Sequence, residues 1–183
     1  MEWLVLNNLN ESIVIRRMLQ ADGKALSEAF FDQGWNKSEQ LFDFYFSEQE
    51  NGKMDVLVVE VDEKLAGYVT LIPKALVGPY SEQGYPEIGD LNVLMKFQRR
   101  GVGNSLMDAA ESLASEISDA VTLAVGIHSG YGNAQRMYVK RGYIFDGTGA
   151  WYHDEPLKQY EACRNDDFLC LYMKKDFRAG DSK

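Results

Sequence analysis

Hydrophobic positions recur along the chain with a period that changes from segment to segment. Ile13, Val14 and Ile15 begin a β-branched run that predicts a first strand to Met18, and Ala21-Asp22 open a helix that Gly34 ends. Leu41, Phe42, Tyr45 and Phe46 follow at helical spacing between Ser38 and Gln49, before Asn51-Gly52 breaks the pattern. Residues 54–61 and 65–73 read as strands, and the short polar connection Asp62-Glu63-Lys64 predicts an antiparallel hairpin. A loop from Lys74 to about Tyr85 turns at Gly78-Pro79.

Glu87 to Met95 then reads as a strand, and Val102 to Ile117 as an amphipathic helix with Leu106, Met107, Ala110 and Leu113 inward. Ala120 to Ile127 is a further apolar strand. The helix between these strands must cross over, which makes them parallel neighbours. A short helix after Gly130 stops at Gly142, and strands at Tyr143–Phe145 and Phe168–Met173 flank a long connection carrying Asp146, Asp154, Glu155, Glu161, Asp166 and Asp167. Residues 1–11 read as an extension and 176–183 as a frayed tail on one domain of 183 residues.

Composition narrows the function classes. A net charge of -9 repels a phosphate backbone, so nucleic acid is not an expected partner; the same acidity is compatible with drawing in a cationic amine. No apolar run approaches the roughly 18 residues that span a bilayer, and the start of the chain is too polar for a signal peptide, so a cytoplasmic location without membrane contact is expected. Cys163 and Cys170 have only His128 and His153 to join them, which predicts reduced thiols and no metal.

The segment Gln98-Arg99-Arg100-Gly101-Val102-Gly103 stands between a strand and a helix. Two glycines admit a ligand close to the backbone, the helix start leaves amides unpaired, and the arginines add full charge, so a pyrophosphate is the natural guest. A dinucleotide fingerprint would want a third glycine where Leu106 stands, and a P-loop would want a lysine where Gly103-Asn104-Ser105 has none.

These residues resemble the signature of the GNAT superfamily of N-acetyltransferases: Gln or Arg, two residues, Gly, one residue, then Gly or Ala. Asp90-Leu91-Asn92-Val93 is similar to the strand that precedes that signature, and Met137-Tyr138-Val139-Lys140-Arg141-Gly142-Tyr143 to a later Leu-Tyr-x-Lys-x-Gly-Phe element. The resemblance implies an α/β (α+β) fold: a mixed, mostly antiparallel twisted sheet of six to seven strands, a central splayed parallel pair and about four helices. It also implies acetyl-CoA as cosubstrate. Val93, Leu94 and Met95 would contact the pantetheine arm, and the turn from Gln98 through Arg99, Arg100, Gly101, Val102, Gly103, Asn104 and Ser105 would hold the diphosphate. Many relatives carry an Asn where this chain has Tyr131, which leaves Asn133 as the substitute candidate.

Amine acetylation needs a base, because a lysine-type amine with a pKa of about 10.4 is protonated at neutral pH. The resemblance points to Glu87; Asp90 and a water chain stay open. Tyr138 occupies the position of the general acid that protonates the departing thiolate, and the N–H of Leu94 is the expected oxyanion donor. His128 is expected to be a polar loop residue. Trp35, Trp151, Tyr152 and the acidic connection are candidates for an amine pocket. The implied reaction is acetyl transfer to a primary amine of a small molecule or peptide by direct attack in a ternary complex. The alternative is a non-catalytic acyl-CoA-binding module that regulates a partner. Self-association as a homodimer stays open.

Overall fold

The computed structural model describes residues 2–8 and 11–177. They divide into two compact units, residues 1–72 with 89–113 and residues 73–88 with 114–183.

The first unit contains β1 (Glu2–Asn8), β2 (Glu11–Arg17), α1 (Asp22–Asp32), α2 (Glu39–Glu50), β3 (Asp55–Val61), β4 (Lys64–Ile72), the later part of β5 (Glu87–Val93) and most of α3 (Val102–Ile117). The segment expected as an extension is a strand, β1, which pairs antiparallel with β2 from Glu2↔Arg16 to Asn8↔Glu11. β2 pairs antiparallel with β3, β3 with β4, and β5 lies next to β4. Ile13, Ile15, Leu26, Phe30, Phe42, Val58, Tyr68 and Leu106 are fully buried and form the apolar interior that the periodicity predicts.

Two helix ends in this unit are built by local chemistry. Ser38 caps α2 by accepting the N–H of Leu41 at 3.3 Å. At the end of α1, Gly34 takes the left-handed conformation (φ 84°) and donates to Phe31 O at 2.8 Å, while Trp35 donates to Phe30 O at 2.9 Å. This is a Schellman stop, and the Trp35 ring completes it by stacking on Phe30 at 5.9 Å.

The second unit holds the 73–86 loop, the start of β5, β6 (Ala120–Gly126), α4 (Gly132–Lys140), β7 (Ile144–Tyr152), β8 (Glu155–Pro156) and β9 (Leu169–Asp176). β5 pairs with β6 in parallel at Glu87↔Thr122 and Ile88↔Leu123, as the crossover requires. β9 pairs antiparallel with both β6 and β7. The fold class is therefore the expected one, a mostly antiparallel sheet with a parallel pair and four α-helices among the described residues.

One boundary differs from the sequence expectation. β7 does not stop at Phe145 but continues to Tyr152, inside what reads as a connection. The register with β9 shifts between Phe145 and Ala150, where Gly147 (φ 83°) and Gly149 (φ 89°) absorb a bulge and hide the strand's alternation. A two-residue turn at His153 and Asp154, both left-handed, leads back into β8. Of the tail expected to fray over 176–183, Asp176 closes β9 and Phe177 donates its N–H to Asp119 O at 2.7 Å, while residues 178–183 lie outside the described residues. Among the described residues, no helix is long and apolar enough to cross a membrane.

Candidate active site

The turn expected to take a diphosphate lies in the first unit. Arg99 (φ 60°) and Gly101 (φ 87°) are both left-handed, and α3 starts directly after them. Glycine takes this conformation freely. Arg99 does so at a cost of about 1 kcal/mol or more, which marks the turn as a place where shape outranks local comfort. Gln98 closes the turn on itself by donating from Nε2 to Val93 O at 3.0 Å. Ser105 makes the first helical bond, to Gly101 O at 3.0 Å, so the amides of Val102 and Gly103 precede the intrahelical ladder. Arg99, Arg100 and Asn104 are exposed, and Arg100 stacks over Phe97 at 5.3 Å. A shallow cavity of about 280 Å³ beside the turn is lined by Val61, Asp62, Lys64, Lys96, Phe97 and Arg100. Unladdered amides, a helix N-terminus and four neighbouring cations, Lys64, Lys96, Arg99 and Arg100, fit the phosphates of acetyl-CoA.

The end of β5 is more committed than the sequence suggests. Leu94 donates its N–H to Ala66 O at 2.8 Å, and its own C=O receives the N–H of Phe97 at 2.8 Å. The expected oxyanion donor is therefore already spent within the fold, which corrects that assignment. Alternation along the strand does not reveal this, because the bond depends on where β4 passes. β4 passes very close: a Cβ on Gly67 would meet Asn92 O at 2.3 Å. Val93 O is taken by Gln98, and the Met95 N–H by Gln33 Oε1 at 2.9 Å.

Asp90 sits on β5 with φ 42°, a bulge conformation that costs a non-glycine residue strain. Its Oδ1 accepts from Lys37 Nζ at 2.6 Å and Asn92 Nδ2 at 2.8 Å; its Oδ2 accepts from the hydroxyls of Tyr45 at 2.8 Å and Tyr68 at 2.6 Å. Burial opposes its charge, but Lys37 and the hydroxyl donors outweigh burial and hold the carboxyl below its ordinary range. A carboxylate with four donors and a lowered pKa is a poor proton acceptor. This removes Asp90 from the candidates for the base. The same burial and the Asp90 charge push both tyrosine hydroxyls strongly up.

Glu87 has the opposite environment, in the second unit. Its Oε2 is buried without a hydrogen-bond partner among the described residues. Burial, with a smaller contribution from the charge of Asp154, raises its pKa from 4.5 to about 7. The registers put Glu87 on one sheet face with Thr122 and Lys174, and two and four residues along β9 come Tyr172 and Cys170, the latter opposite Trp151. Trp151 packs edge-on against Tyr172 at 5.4 Å, and its indole N–H donates to Thr148 Oγ1 at 2.7 Å. Burial, with the charges of Asp154 and Glu87, pushes the Cys170 thiol up to about 11, which keeps it protonated. Glu87 thus shares its sheet face with the buried Tyr172, against which the half-buried Trp151 packs, and feels the like charge of Asp154.

Tyr138 lies on α4, 7% exposed, with its ring against Tyr143 at 5.8 Å. Burial alone raises its hydroxyl to about 12, so it is a proton carrier at any working pH. Asn133 is exposed in the first turn of α4. Tyr131 instead donates its hydroxyl to Asp167 at 2.9 Å, and His128 Nε2 reaches the same carboxylate at 3.0 Å while Nδ1 accepts the N–H of Gly130. His128 is a loop clasp. Three of the six carboxylates of the acidic connection serve turns: Asp146 binds Thr148, Glu161 the Lys158 N–H, and Asp166 the Phe168 N–H. Trp35 belongs to the α1 stop, in a different unit from Trp151.

Sequence reasoning misses Gln33, the Lys37–Tyr45–Tyr68 cage around Asp90, and the repulsion of Glu87 by Asp154. Each depends on elements far apart in the chain. The Asp-x-Asn pair at 90 and 92 is the one local signal of the cage.

The profile of the Acetyltransferase (GNAT) family matches residues 21–143. The chain therefore belongs to the GNAT acetyltransferase family, whose members are acyltransferases that use acetyl-CoA. No curated protein sequence matches it significantly. Among solved structures it is similar to a GNAT-family protein from Desulfovibrio desulfuricans, with TM-score 0.68 and 14% identity over 91% of this chain and 99% of that one. It is similar also to ribosomal-protein-alanine N-acetyltransferase from Brucella melitensis, with TM-score 0.65 and 18% identity over 88% and 98%. A third is YncA from Salmonella typhimurium, solved with its cofactor acetyl-CoA, with TM-score 0.65 and 16% identity over 93% and 96%. At these identities the likeness is one of fold.

Proposed function

We propose that the protein transfers an acetyl group from acetyl-CoA to a primary amine of a small molecule or peptide, by direct attack in a ternary complex. The observation that carries this reading is Glu87: a carboxyl group raised to about 7, with one oxygen buried and unpartnered, on a face lined by aromatic rings. A base poised near neutral pH suits an amine whose proton must leave before attack. The coenzyme, when bound, supplies the activated acyl thioester. Gln98 to Ser105 hold its diphosphate, with the amides of Val102 and Gly103 and the side chains of Arg99 and Arg100 as donors. Val93 and Met95 flank its arm.

Glu87 Oε2 takes one proton from the ammonium before attack; the neutral nitrogen then forms the N–C bond and releases its second proton to water. Tyr138 gives its hydroxyl proton to the departing sulfur as the C–S bond breaks, and proton exchange with solvent restores both groups. Trp151, half-buried and backed by the buried Tyr172, offers a face for a cationic acceptor, and Asp154 adds charge that favours it. The fold family's membership supports the transfer, and the unpartnered Glu87 oxygen supports the amine.

The test is thiol release from acetyl-CoA against a panel of amines and peptide N-termini, with coenzyme binding measured separately. Amine-dependent release in wild type that is lost in Glu87→Gln is the expected result. Coenzyme binding with no turnover on any amine would favour a regulatory acyl-CoA-binding module instead.

A further inference from the structure

Gln33 is held at the C-cap of α1 by the Schellman stop described above, so its side chain leaves a rigid helix end. The carboxamide is then oriented from the other side: Oε1 accepts the N–H of Met95 at 2.9 Å. A backbone N–H can only donate, so it decides which end of the amide faces it. The Nε2 group is thereby turned away from that N–H, and it is buried with no partner among the described residues. Leaving a buried donor unmet costs about 1–3 kcal/mol. The exchanged orientation would be worse, because it would set the amide donors against the Met95 N–H.

Nothing in the α1 stop requires a glutamine. The position is half-buried, and an apolar side chain of the same length would avoid the orphaned donor. What the glutamine adds, besides the acceptor for the Met95 N–H, is a buried N–H beside a backbone segment tied to the diphosphate turn. Met95 opens the short 3-10 turn to Phe97, its C=O receives the Gln98 N–H at 3.2 Å, and Gln98 Nε2 returns to Val93 O. A ligand leaving that turn along the end of β5 passes this donor, and the donor is complementary to a neutral carbonyl oxygen.

We propose that Gln33 is a coenzyme-binding residue whose Nε2 donates to an amide carbonyl of the pantetheine arm while its Oε1 stays anchored on Met95. The inference rests on the acetyl-CoA reading above. The arm suits the donor because its hydrogen-bonding groups include neutral secondary amides, whereas the phosphates have charged donors of their own nearby.

The experiment compares calorimetric binding of coenzyme A with that of 3′,5′-ADP, which carries phosphates but no arm. Gln33→Met is a neutral variant of similar length with no donor; Gln33→Glu keeps an acceptor for Met95 but loses the donor. Both variants should bind coenzyme A about tenfold more weakly, the equivalent of about 1.4 kcal/mol, with 3′,5′-ADP affinity in Gln33→Met within about twofold of wild type. Unchanged coenzyme A affinity in Gln33→Met overturns the proposal, and so does an equal loss for the two ligands. A wild type that binds neither ligand removes the acetyl-CoA reading itself, and the role of Gln33 with it.

Discussion

Glu87 and Asp90 stand on the same strand, yet their carboxyl groups are driven in opposite directions, one to about 7 and the other below the usual carboxylate range. Both are largely withdrawn from solvent. The difference is partners: four donors surround Asp90, and an unpaired oxygen with a like charge nearby defines Glu87. Strand β5 thus carries a fixed anion and a titrating one.

For turnover, the titrating group sets the pH profile. The rate should rise with pH through an inflection near 7 as Glu87 becomes able to accept a proton. Glu87→Gln should lower kcat by about a hundredfold and remove that inflection. A profile recorded with saturating acetyl-CoA checks this; an inflection retained in the variant would move the base elsewhere.

For stability, the same shift has the opposite consequence. A folded pKa raised above the unfolded one means that the native state holds the proton more tightly, so stability declines as pH rises from about 4.5 through 7. Glu87→Gln keeps the neutral form at every pH. It should melt at a higher temperature than wild type at pH 8, by up to about 3 kcal/mol of stability, with the gain vanishing below pH 4.5.

Asp90→Asn tests the cage. The substitution leaves Lys37 without its anion and two tyrosine hydroxyls with at most one good acceptor between them, for a loss of about 2–4 kcal/mol at pH 7. Because the Asp90 pKa is lowered, its contribution is present above the ordinary carboxylate range and is lost as pH falls through the folded value. The gap between wild type and variant, read from denaturant midpoints, should therefore close in acid.

Tyr138→Phe separates chemistry from binding. Under the proposed transfer, loss of the buried Tyr138 hydroxyl should cost at least about tenfold in kcat while coenzyme affinity stays the same. Undiminished turnover would make Tyr138 a packing residue.

Arg99 adopts its left-handed backbone at a cost, so Arg99→Gly should leave the fold intact or slightly firmer while weakening coenzyme A and flattening the salt dependence of its binding. Gly101→Val should do harm both ways, since a β-branched residue at φ 87° is strained by about 1–2 kcal/mol or more. Thermal melting and titration at two salt concentrations distinguish the pair.

Most of the fold was legible because it rests on local periodicity. The bounds of α3 and the parallel pairing of β5 with β6 follow from the spacing of Leu106, Met107 and Ala110 and from the crossover rule. β7 was partly hidden because its bulge glycines break alternation. At the candidate site, the turn into α3 was legible, since Gly101 and Gly103 mark it in the sequence itself. Leu94 was not. Its N–H is consumed by Ala66, a partner fixed by strand geometry rather than by neighbours in sequence. Gln33 was invisible for the same reason: only the folded chain brings a helix end to Met95.

The approach of β4 to β5 at Gly67 is backbone on backbone, with no side-chain layer between them to act as a cushion. The two strands must shift together there, as a single plank. Any adjustment that lets this unit accept ligands of different length has to pivot beyond Asn92, in the short turn at Met95 and the glutamine that leans on it.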